Sequence, residues 1–193
     1  MPGLSHSVAK DDRRVRKTRK LLSDALRSLL LEKGYESVTI QEILDRADVG
    51  RSTFYTHFES KEHLLVGQEP MERLIAELNE PRPGLSEKPQ INFLALFQHV
   101  IDNAELAKSA IGTESGDILL NLIRENLYFR IVEHYGLPSG SPRREIDMFL
   151  LTAEASASAL IRMLEGWIER NLPFTAEEMT VKCQQLLDRL LGS

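Results

Sequence analysis

The amino-acid sequence predicts an all-α protein of about nine helices, in a small N-terminal head and a larger C-terminal bundle. Three observations predict it. Apolar residues recur at spacings of three and four along most of the chain, the period of an amphipathic helix. Two strings, Thr39-Ile40-Gln41-Glu42 and Thr175-Ala176-Glu177-Glu178, have the chemistry of a capping box, in which threonine and glutamate each satisfy a backbone N–H of the other. No stretch alternates apolar and polar residues over the length of a strand.

The elements follow in order. Leu22, Ala25, Leu26, Leu29 and Leu30 place a helix over 13–33, preceded by a flexible basic arm at 1–12 and stopped at Gly34. After the first capping box a short helix turns Ile40, Ile43, Leu44 and Ala47 inward. Asp48-Val49-Gly50 breaks the chain, 51–57 forms a second short helix, and Ser60 caps a fourth. Pro70 lacks a backbone donor and would clash with the carbonyl of Val66, so a kink or break is predicted within 66–70. Residues 79–90, with three prolines and a glycine, read as a loop. Helices then follow at 91–103, 104–111, 115–135, 143–171 and 175–191, with Ser141-Pro142 read as an N-cap followed by proline at the first helical position.

Charge divides the chain of 193 residues in the same place. Residues 1–67 hold 12 basic and 10 acidic residues, a net of +2, whereas 68–193 hold 12 and 19, a net of −7. Seven basic residues fall between Lys10 and Lys20. The pattern predicts an anion-binding head on a body that does not touch the anion. The single cysteine, Cys183, excludes an internal disulfide and fits a reducing compartment, and no apolar run has the length of a membrane span. A cytoplasmic protein without a membrane partner is predicted.

The stretch VGRSTFYTHFESKEHLL, residues 49–65, carries the functional signal. Phe54 and Phe58 point to a core shared with the helices around them, which leaves Arg51, Ser52, Thr53, Tyr55, Thr56 and His57 outward. Two short helices across a tight turn, the second polar on its outer face, form a helix-turn-helix (39–58), whose second helix enters the major groove of DNA. Arginine grips guanine with two hydrogen bonds, and threonine offers a methyl to thymine. Thr39, Gln41 and Lys61 flank the same face, Thr39 and Lys61 at helix N-termini that favour a phosphate.

The string TIQEILDRADVGRSTFYTHFESKEHLL, preceded by LLLEKGYESV, resembles the TetR family of one-component bacterial regulators over residues 13–66. The resemblance implies a DNA-binding domain at 13–67 and an effector-binding and dimerisation domain at 68–193. It implies phosphate or groove contacts for Thr39, Thr53, Tyr55, His57 and Lys61, with Arg51 at a variable position often used for bases. The sequence departs from the family pattern at Leu44 for alanine, Asp48 for the turn glycine, Gly50 for a capping serine and Ser52 for glycine.

In the body, LEGWIERNLPFTAEEM (164–179) resembles the junction of the family's last two helices, which pair with their twins as a four-helix bundle while the other helices enclose a ligand. The expected dimer residues are Ala153, Glu154, Ala157, Ser158, Leu160, Arg162, Leu164, Trp167, Leu186 and Leu190. The small side chains of AEASASA (153–159) suit a close helix crossing, between two chains or within one. Glu154, Ser158 and Arg162 recur every four residues, by default a solvated stripe and, across a two-fold axis, a pattern that suits pairing of Glu154 with a partner's Arg162. Apolar positions interrupted by polar ones give the expected ligand residues Phe93, Phe97, His99, Asn103, Ile123, Asn126, Leu127 and Tyr128.

No histidine pair, metal-ligand spacing or nucleophile elbow is present, so neither catalysis nor a metal or other cofactor is expected. The acidic body disfavours an architectural protein that coats DNA, because such binding rewards net positive charge. The expected function is a sequence-specific, homodimeric transcriptional regulator, a repressor released from a palindromic operator by a small-molecule effector. An activator of the same family and a ligand-independent architectural DNA-binding protein are the alternatives.

Overall fold

The computed structural model describes residues 5–80, 91–137 and 139–191, with the backbone alone at 5–12 and Glu69. Ten helices form among the described residues, and none is long and apolar enough to cross a membrane. The expected loop at 79–90 lies outside them from residue 81 on.

The head is built on α1 (Ser5–Lys33), whose backbone is helical eight residues earlier than the apolar period indicates. Leu22, Leu26 and Leu29 form its buried stripe. At Gly34 the chain turns with φ 74°, a conformation open to glycine without a Cβ clash. Thr39 then opens α2 (Ile40–Ala47) with the expected capping box: its hydroxyl accepts from the Glu42 N–H, and the Glu42 carboxylate accepts from the Thr39 N–H at 2.9 Å. That carboxylate also pairs with Lys33, and these bonds hold its pKa down at about 2. Asp48 makes the turn in the left-handed conformation, φ 51° and ψ 48°, with its N–H bonded to the Leu44 carbonyl. α3 (Arg51–His57) follows, with Gly50 as an N-cap that offers no side-chain bond. Ser60 caps α4 (Lys61–Val66) by accepting from the His63 N–H at 3.1 Å. Phe54, Phe58, Leu64, Leu65, Ile43 and Leu44 close the head core over α1.

The expected interruption before Pro70 is present. α4 ends at Val66, Gln68 is extended, and Pro70 lies in the first turn of α5 (Glu69–Asn79), where a missing N–H costs nothing. The Gly67 carbonyl left at the break accepts from the Arg19 guanidinium of α1 at 3.1 Å. A Cβ on Gly67 would meet the His63 carbonyl oxygen at 2.8 Å and the Phe58 ring at 3.3 Å, so glycine lets the chain pass there.

The body comprises α5, α6 (Phe93–Asp102), α7 (Ala104–Ala110), α8 (Glu114–Tyr135), α9 (Arg143–Glu169) and α10 (Ala176–Leu191). α9 opens with Pro142 at its N-cap position, not Ser141: Pro142 has extended ψ, and its carbonyl accepts from the N–H groups of Glu145 and Ile146. α10 opens on the second expected capping box, Thr175 N–H to Glu178 at 2.8 Å and Glu178 N–H to Thr175 at 3.2 Å. The body core stacks Phe93, Phe97 and Val100 of α6 with Ile123, Leu127 and Ile131 of α8 and Ala157, Leu160, Leu164 and Trp167 of α9. Phe97 meets Trp167 edge to face at 5.2 Å. Cys183 is buried in this core, which pushes its thiol up to about 12 and keeps it protonated at neutral pH. Leu119 of α8 packs against both cores.

Candidate nucleic-acid interface

α3 is anchored on one side and open on the other. Phe54 is wholly buried, and Phe58, just beyond the helix, is nearly so. Their rings lie 5.9 Å apart and fix the helix on the head core. The opposite side presents Arg51, Ser52, Tyr55 and Thr56 to solvent, with Thr53 and His57 half-buried at its edges. No acidic residue falls between Val49 and Phe58. The side chains are partly ordered before any ligand arrives. Gln41 of α2 donates to Asp45 at 2.8 Å, which leaves its carbonyl oxygen facing Arg51 Nη2 at 3.5 Å. The Thr56 hydroxyl donates back to the Ser52 carbonyl at 3.0 Å. An exposed face of this composition offers a guanidinium, hydroxyls and a methyl to a groove, which suits base edges and phosphates.

Lys61 differs from the expectation of a side chain free to meet phosphate. Its ammonium donates to the carbonyls of Tyr35 at 2.9 Å and Val38 at 3.1 Å and lies 3.8 Å from the centre of the Tyr35 ring. Two of its donors are spent on holding the loop between α1 and α2, and a third remains. Tyr35 in turn donates to Glu62 at 2.8 Å; burial first, then that carboxylate, raises its pKa. Thr39 is similarly occupied by the capping box, with its exposed edge at the start of α2.

Besides the packing of Leu119, two polar contacts among the described residues tie the head to the body, and neither is foreseen from the sequence. Arg19 donates to Glu72 in the first turns of α5 at 2.6 Å, besides bonding Gly67, and its guanidinium lies over the Phe58 ring. Glu36 accepts from the Glu114 N–H at the start of α8 at 2.8 Å. Arg19 carries a faint sequence signal: a charge three residues before Leu22, on the buried stripe of α1. Glu36 has none, because its partner is remote in sequence.

The expected ligand residues separate. His99, Asn103 and Ile123 line a cavity of about 150 Å³ between head and body. Phe93, Phe97 and Leu127 do not, because they fill the body core. Asn126 donates to the Leu122 carbonyl within its own helix, and Tyr128 packs on Phe129; neither lines the cavity.

The expected dimer residues separate as well. Ala153, Ala157, Leu160, Leu164 and Trp167 face the chain's own core, so their side chains are not on the surface that a second copy would meet. Of the two crossings that small residues permit, the one at Ala153 and Ala157 lies within the chain. Leu186 packs partly against the same core. Glu154, Ser158, Arg162 and Leu190 are exposed. Arg162 already bonds Glu165 and Glu169 of its own helix, at 3.3 and 3.2 Å. The outer side of α9 continues through Met148 and Leu151, which are 61% and 62% exposed, and Val181 lies exposed on α10.

Residues 22–67 match the family model for bacterial regulatory proteins of the tetR family. The HTH-type transcriptional repressor DhaR of Mycobacterium sp. (strain GP1) is 30% identical over 173 residues, spanning 82% of this chain and 87% of that protein. The HTH-type transcriptional regulator YxbF of Bacillus subtilis (strain 168) is 38% identical over 79 residues; the match spans 40% of this chain and only 20% of YxbF. Among solved structures, a TetR transcriptional regulator from Streptococcus agalactiae 2603V superposes with a TM-score of 0.55 at 24% identity, over 95% of this chain and 99% of that one, a likeness of fold.

Proposed function

We propose, from the premise that the chain belongs to the TetR family of bacterial regulatory proteins and is therefore a DNA-binding transcriptional regulator, that it is a homodimeric repressor. It binds a palindromic operator through α3 and leaves it when a small-molecule effector binds. It acts in the cytoplasm, without catalysis and without a cofactor. The observation that carries this reading is the outward face of α3, basic and hydroxyl-rich on a rigid aromatic anchor. The repressor named DhaR, related along most of both chains, supports repression. Release by an effector is supported by the ties of Arg19 to α5 and of Glu36 to α8, through which a shift in the body tilts the head.

The test compares Arg51→Ala with Lys61→Ala on a selected operator and its single-base variants. Arg51→Ala is expected to keep the wild-type melting temperature and to lose discrimination at one base pair, a cost of about 1–3 kcal/mol. Lys61→Ala removes two charge-assisted bonds to the Tyr35–Val38 loop. It is expected to lower stability by about 2 kcal/mol and to weaken binding to every sequence alike. Unchanged base preference in Arg51→Ala rules out this docking of α3.

A further inference from the structure

The cavity noted above lies on the seam between the two cores, not inside the body. Leu30 of α1 and Leu65 of α4 form its head side; Met71, Leu119, Ile123 and Leu164 form its body side. Its volume of about 150 Å³ matches an apolar hole that accepts a benzene ring. The walls are mostly apolar, so the body of an occupant is apolar too.

Charge narrows the class. Among the described residues that line the cavity none is acidic, and Arg27 of α1 is the one cation. Arg27 is exposed, at the rim, and its guanidinium has no hydrogen-bond partner among the described residues. His99 of α6 lines the same cavity, half-buried, and its ring makes no hydrogen bond among them either. Burial lowers its pKa most; Asp102 and then Glu77 act the other way, and the like charge of Arg27 adds the smallest lowering. Held neutral, the ring keeps one donor and one acceptor. Asn103 spends its amide N–H on the His99 carbonyl at 2.8 Å, which leaves its side-chain oxygen as an acceptor. An amine entering here would find a guanidinium and no carboxylate among the lining side chains, since Asp102 and Glu77 act on His99 from outside the lining. An acid would find a guanidinium and an imidazole donor with nothing else to bind.

We infer that this seam is the effector site and that it takes a small aromatic or branched aliphatic carboxylic acid, the apolar part among Leu30, Leu65 and Leu164 and the carboxylate toward Arg27 and His99. The inference rests on the regulator reading for the word effector, but the binding does not depend on it. Because the walls come from both units, an occupant pushes directly on the head, beside Pro70 and Met71, which also line the cavity.

Calorimetry on the full chain without DNA tests the chemistry, with benzoate, benzyl alcohol and benzylamine as probes of one size. Benzoate is expected to bind about tenfold or more tightly than the other two. Arg27→Gln, at an exposed position, is expected to fold normally and to reduce benzoate to the level of benzyl alcohol. Methyl NMR of methionine-labelled protein tests the place: the Met71 resonance, assigned with Met71→Leu, is expected to move with benzoate while that of Met148 stays. Equal affinity for the three probes, no binding of benzoate, an unchanged Arg27→Gln, or a stationary Met71 methyl overturns the proposal. Selection of a duplex by the same protein judges the regulator reading separately. Binding to a duplex without binding of benzoate sinks this site alone, and binding of benzoate with no duplex selected sinks the regulator alone.

Discussion

Ala157→Arg is expected to leave the body of the protein unfolded. Ala157 is wholly buried in the body core, on α9 between the buried Ala153 and Leu160. An arginine there overfills a packed crossing, at about 1–3 kcal/mol. It also brings a guanidinium into apolar surroundings with no partner, which costs several kcal/mol more. Together these approach the whole stability of an ordinary domain, about 5–15 kcal/mol. Circular dichroism and urea titration check it. A helical protein that melts cooperatively near the wild-type temperature would show that this face of α9 is not core.

Leu151→Arg has the second large effect, on assembly instead of folding. Leu151 stands two turns before Ser158 on the outer side of α9 and is 62% exposed, so a charge there meets water in a single chain. In the proposed homodimer it meets the same charge on a second copy. Wild-type helicity is expected, with a monomer in sedimentation. Affinity for a full palindrome should fall by about a hundredfold or more, since two linked heads gain that much over one. A dimer that persists, or a monomer with full affinity, would remove this face from the interface.

These two variants mark what could and could not be read from the residues. Around the helix-turn-helix the signals are local. Thr39 and Glu42 are three apart, Asp48 must reverse the chain directly after a short helix, and Phe54 and Phe58 are one turn apart. Their consequences appear where expected, and so does the interruption ahead of Pro70. On α9 the period of small residues gave the helix but not its facing. AEASASA is small at every position but Glu154, so Ala153 and Ala157 suit a core as well as Ala155 and Ser158 suit a surface. Only the partner helix decides. Phe93 and Phe97 were expected at a ligand for a similar reason, because aromatic residues one turn apart line a pocket or fill a core with equal periodicity. Lys61 was expected to be free because its two carbonyl partners lie 26 and 23 residues away. The seam cavity joins Arg27 and Leu30 to His99 and Leu164, which no local spacing connects.

The central claim is that α3 reads a sequence in DNA. Selection from a pool of random duplexes by the full-length protein, at a salt concentration near 0.15 M where phosphate contacts alone bind weakly, tests it most directly. The account predicts enrichment of one inverted repeat, with a preference in each half-site that Arg51→Ala relaxes. Fragments recovered without any common sequence, or an enriched site that Arg51→Ala and the other α3 variants bind unchanged, would contradict it.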